Sequence, residues 1–135
     1  DGLLKEKSAR DAQKQASGGK LSWQALTCRE LETVQRALIA RFRQPSLRQQ
    51  LLRKQAACSG DALKYLFCAE PIVDAGEAEV FHELGLLEDL GASALRAAQQ
   101  KFLRAVMEFW CEGEVRALAR RLDEATGSSQ VREGR

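Results

Sequence analysis

The chain has 135 residues and a mass of 15.0 kDa, the size of one ordinary domain. Its 44% hydrophobic fraction can build a core and its 30% charged fraction a solvated exterior, while two prolines and few β-branched residues leave extended structure little local support. A formal net charge of +2 argues against the strongly cationic class that binds polyanions.

Membrane and secretory classes find no support either. The longest apolar runs, such as Ala37–Ala40 and Tyr65–Ala69, are far short of the ~20 residues needed to span a bilayer. The amino end is rich in Lys, Glu and Gln and has no apolar core of the kind a signal peptide carries. Cys28, Cys58, Cys68 and Cys111 sit far apart within helical patterns, so they are expected as reduced, half-buried core residues of an intracellular protein, cytosolic or nuclear. The chain opens on Asp1, which is what a domain cut from a longer protein shows.

Residues 1–20 read as a flexible lead-in, with Leu3 and Leu4 as its strong apolar residues and Ser17-Gly18-Gly19 as punctuation. Order is predicted over 21–126, followed by a polar, disordered tail over 127–135. Thr27-Cys28-Arg29-Glu30 has capping-box spacing, and Leu26 and Leu31 stand at hydrophobic-staple positions. Leu31, Val34, Leu38 and Phe42 then line one face of a first helix. Pro45 ends that helix and suits the first turn of a second, which carries Leu47, Leu51 and Leu52 and stops at Ser59-Gly60.

Asp61 caps a short third helix with Leu63, Leu66 and Phe67 inward, closed before Pro71. Asp74 and Glu77 repeat the capping spacing, and Val73, Ala78, Phe81 and Leu84 give a fourth helix its apolar face, with Gly85 just past its end. Leu86, Leu87 and Leu90 anchor the next connection. From a cap at Ser93, the last helix places Leu95, Phe102, Val106 and Phe109 on one stripe. Leu103, Met107, Cys111, Val115, Leu118 and Leu122 form an adjacent one. Gly113 costs roughly 1 kcal/mol in a helix interior. Yet Arg104, Glu108, Glu112, Arg116 and Arg120 step at i, i+4 straight through it, which predicts one long helix bent at Gly113. The expected fold is all-α, an irregular bundle of about five helices with a long C-terminal helix that could also pair as a coiled coil.

No catalytic constellation emerges. His82 has only Glu79 and Glu83 beside it, and no phosphate-cradling Gly-rich loop is present. The cysteines are separated by 30, 10 and 43 residues, without the paired spacing of a zinc site. The protein is therefore expected not to be an enzyme and to need neither metal nor cofactor.

Charge is the informative signal. From Thr33 to Gly60 there is no acidic residue, while Arg36, Arg41, Arg43, Arg48, Arg53 and Lys54 are basic. From Tyr65 to Leu95 there is no Lys or Arg, while Glu70, Asp74, Glu77, Glu79, Glu83, Glu88 and Asp89 are acidic. Three explanations compete: attraction between neighbouring helices, a docking surface for a partner of opposite charge, and phosphate contact by the arginines. Phe109 and Trp110 point about 100° apart on a helix, so Trp110 either completes a central helix, the favoured placement, or reaches a surface groove.

These features predict a non-catalytic scaffold or adaptor module of a larger intracellular protein, binding an amphipathic partner helix or a second copy of itself. Trp110, Phe109, Arg41, Arg43, Arg48, Arg53, Lys54, Glu77, Glu79 and Glu83 are the candidate contact residues. The alternative is a nucleic-acid-associated subunit contacting phosphates through its basic helices, although interleaved aromatics and known binding motifs are missing.

Overall fold

The computed structural model describes residues 20–127. Apart from Lys20 and Gly127, the predicted lead-in and tail lie outside the described residues. A 3-10 turn over Trp23–Ala25 leads into α1 (Cys28–Phe42), α2 (Pro45–Cys58), α3 (Ala62–Glu83), α4 (Ala92–Glu108) and α5 (Gly113–Thr126). No strand occurs among the described residues, so the all-α expectation holds.

Local chemistry sets most of the boundaries. The Thr27 hydroxyl accepts from the Glu30 amide at 3.1 Å, and the Glu30 carboxylate accepts from the Thr27 amide at 2.9 Å, completing the capping box of α1. Pro45 occupies the first turn of α2. Ser59 (φ 39°) and Gly60 (φ 82°) end α2 in the left-handed region, and the Asp61 carboxylate then caps α3 by accepting from the Lys64 amide at 3.0 Å.

α1 is the central helix. It packs most extensively against α5 and α3, and α2 lies along α3. Leu31, Val34 and Leu38 are completely buried, as are Phe81, Val115 and Leu118 that meet them from other elements. Burying such side chains stabilises by about 1.5–3 kcal/mol each. Trp23 stands edge-on to Phe81 with centroids 5.3 Å apart, and Phe102 completes an aromatic trio at 6.3 Å and 5.8 Å from them. The Trp23 indole donates to the Leu86 carbonyl at 3.0 Å, anchoring the α3–α4 connection. Leu86 and Leu87 are buried there as expected, whereas Leu90 is exposed.

Several sequence expectations are overturned. The predicted third and fourth helices are one helix, α3, with Pro71 inside it. Proline costs a helix interior ~3 kcal/mol. Tyr65, Ala69, Gly76 and Val80 nevertheless form one buried stripe across it, and their shared burial offsets that loss. A continuous helix also fixes the outward direction, so Leu63 (77% exposed) and Phe67 (80%) face water rather than the core, and Leu66 is exposed as well.

The predicted long C-terminal helix is two helices. α4 ends at Glu108, and Phe109–Glu112 turn the chain before α5 starts at Gly113. An unbroken helix from Ala92 to Thr126 would run about 50 Å and carry Val115 and Leu118 away from the body. Reversal instead buries both against α1, where the Gln35 side-chain amide donates to the Val115 carbonyl at 3.1 Å. Arg116 stabilises the turn by donating to the Trp110 carbonyl at 2.6 Å. α4 also starts one residue before Ser93, with Gly91 as its N-cap, so Ser93 is not the cap.

Candidate functional site

The predicted contact residues do not form one site. Arg41 joins α1 to α3, bridging Glu79 at 3.0 Å and also holding Glu83. That trio realises the attraction between basic and acidic helices, and such exposed pairs are worth only ~0–1 kcal/mol each. Arg43, Arg48, Arg53 and Lys54 are exposed and make no ion pair among the described residues. Arg48, Arg53 and Lys54 are spread over three sides of α2 rather than along one face. Phe109 is half-buried against the cluster of Leu26, Leu31, Ala105, Val106 and Val115. Trp110 is 44% exposed in the α4–α5 turn, which corrects its favoured core placement.

Glu77 belongs to a different network, between α3 and α4. Arg96 donates to Glu70 at 2.6 Å and to both Asp74 oxygens at 3.0 and 3.4 Å. Gln99, one turn on, donates to Asp74 at 2.8 Å and Glu77 at 3.3 Å, while its oxygen accepts from Arg96 at 2.9 Å. Asp74, expected as a helix cap, is thus the hub of an interhelical network in mid-helix. Glu77 makes no ion pair among the described residues. Burial, reinforced by the adjacent Asp74 charge, pushes its carboxyl up to about 7, against smaller opposite pulls from Gln99 and Arg96.

Exposed apolar residues lie on the same helix faces. Glu70 and Asp74 stand i+7 and i+11 from Leu63, with Phe67 between, so one line along α3 reads Leu63, Phe67, Glu70, Asp74. Leu103 and Met107 stand i+7 and i+11 from Arg96 along α4, and they are 61% and 64% exposed. Trp110 follows Met107 just past the helix end. Each line therefore carries apolar residues beyond one end of the polar network.

Sequence reasoning missed this arrangement because it turned Leu63 and Phe67 inward and ran Leu103 and Met107 into the core stripe. The signal was present in the continuous spacing of Tyr65, Ala69, Ile72, Gly76 and Val80 across Pro71.

His82 is exposed, and its Nδ1 lies 2.9 Å from the Leu87 carbonyl. No group of three potential metal ligands occurs among the described residues, and all four cysteines are free thiols. A shallow depression of about 430 Å³ lies between the Trp23 turn and Gly85–Leu86, and another of about 280 Å³ lies beside Tyr65, Leu66 and Thr126. No helix among the described residues is long and apolar enough to cross a membrane. No protein-family model matches the chain, and comparison with curated proteins and with solved structures finds no significant match.

Proposed function

We propose that this chain is a non-catalytic helical module that binds another protein, in the manner of a scaffold or adaptor, by seating an amphipathic partner helix on the α3–α4 surface. The observation that carries the proposal is the exposure of four large apolar side chains, Leu63, Phe67, Leu103 and Met107, on helix faces joined by an ordered polar network. Exposed apolar residues that line up along helices, rimmed by polar groups, are the usual substance of a helix-docking surface. Trp110 follows Met107 just past the end of α4, is 44% exposed and is the candidate anchor there. Nucleic acid is a weaker fit, because the unpaired cations of α2 do not share one face that could track a phosphate backbone.

Selection from a displayed library of helical peptides tests this function. Enriched binders should lose affinity at least tenfold with Phe67→Glu or Met107→Glu and be unaffected by Arg120→Glu on the exposed side of α5. Enrichment that ignores both substitutions would remove the proposal.

A further inference from the structure

The polar network carries an imbalance that specifies the partner. Three carboxylates, Glu70, Asp74 and Glu77, are grouped around one guanidinium, that of Arg96, which pairs with Glu70 and Asp74 but not with Glu77. Arg96 is fully engaged: it reaches Glu70 and Asp74, and its remaining contact is the Gln99 oxygen. Among the described residues Glu77 receives only the amide of Gln99, at 3.3 Å, and its partial burial disfavours ionisation. A half-buried carboxylate in that condition gains from any cation brought to it, through a charge-assisted hydrogen bond. Exposed apolar residues continue each helix from this acidic centre: Leu63 and Phe67 precede it along α3, and Leu103 and Met107 follow it along α4. Each arm is about 16 Å of helix.

Resting on the protein-binding function proposed above, we infer that the occupant is a basic amphipathic helix, apolar in its outer turns and carrying Lys or Arg in its central turn opposite Glu77. The complementary charge decides against a second copy of this chain on the same surface. A two-fold pairing there would set two acidic centres against each other, a like-charge contact that opposes association. It also decides against an acidic helix, whatever its apolar pattern.

Three synthetic helical peptides of about 20 residues, roughly 30 Å of helix, test the inference on the full chain at pH 7.5. All share leucines in the outer turns and differ only in central residues: Lys, Gln or Glu. The Lys peptide should bind one-to-one, with the Gln peptide about tenfold weaker and the Glu peptide weaker still. Glu77→Gln should shrink the Lys-over-Gln preference several-fold, and Phe67→Ala should weaken every peptide alike. Both side chains can be changed without opening the core, since Phe67 is exposed and glutamine keeps the acceptor facing Gln99.

Equal affinity for the three peptides, or an undiminished Lys preference in Glu77→Gln, overturns the basic-helix inference and leaves protein binding standing. Failure of all three peptides, together with a library selection insensitive to Phe67, overturns both. A Phe67-dependent dimer in sedimentation equilibrium at pH 7.5 would identify the occupant as a second copy and likewise overturn the inference.

Discussion

The Phe42 ring lies so close over Gly76 that a methyl group on that glycine would stand 2.6 Å from Cε1 and 2.9 Å from Cζ. This contact lets α1 approach the middle of α3. Phe42 is 1% exposed, so its ring has little room to yield. Gly76→Ala gains about 1 kcal/mol of helix propensity but overpacks the site by about 1–3 kcal/mol. The net expectation is a loss of about 1 kcal/mol in urea unfolding. In a Phe42→Leu background the same change should become neutral or stabilising.

Pro71 is exposed on the outside of α3, and its missing N–H leaves the Phe67 carbonyl without its i+4 donor. Pro71→Ala restores that donor and removes the ring clash, recovering up to ~3 kcal/mol, less about 0.4–1 kcal/mol for a more flexible unfolded chain. A net gain of about 1–2 kcal/mol is expected, seen as a higher denaturation midpoint at unchanged slope. Fragmentation of α3 on losing the proline would contradict a continuous helix.

Glu77 predicts a pH dependence of definite sign. Its carboxyl is held at about 7 in the fold, against an ordinary value of 4.5, by burial and then by Asp74, with Gln99 and Arg96 acting in the opposite direction. The fold therefore favours the protonated form. This contribution is fully present below pH 4.5 and is lost as pH rises through about 7, on the order of 3 kcal/mol at most. Between pH 5 and 8, wild-type stability should fall relative to Glu77→Gln, and the variant should be the more stable of the two at pH 8. Parallel stability profiles for the two proteins would show that Glu77 is not titrating in this window.

The cysteines should separate by environment. Cys111 is exposed, Cys28 and Cys68 are half-buried and Cys58 is buried. Burial, followed by the hydrogen bond to Glu32, pushes the Cys28 thiol up to about 11, and burial also raises Cys58. At pH 8 the Cys28 thiolate is then roughly a hundredfold scarcer than for an ordinary thiol. Peptide mass mapping after brief iodoacetamide treatment should find Cys111 alkylated first. Cys28 should follow about a hundredfold more slowly, and Cys58 on the timescale of unfolding.

The sequence by itself determined the helical class and the features written in neighbouring residues. The Thr27–Glu30 capping box, the Pro45 start, the Ser59-Gly60 stop and the Asp61 cap all appear where their local chemistry places them. Each needs only the backbone groups within one turn, so no distant partner can move it. Two of the broken expectations are those in which a local preference competed with burial. Pro71 signals a stop, yet the apolar stripe from Tyr65 to Val80 is continuous and overrides it. The i, i+4 charges around Gly113 signal continuity, yet Val115 and Leu118 reach the core only if the chain reverses. Tertiary structure decided both, because burial of several large side chains outweighs one proline penalty or a few surface ion pairs. That decision also turned Leu63, Phe67, Leu103 and Met107 toward water and brought Arg96 to Asp74.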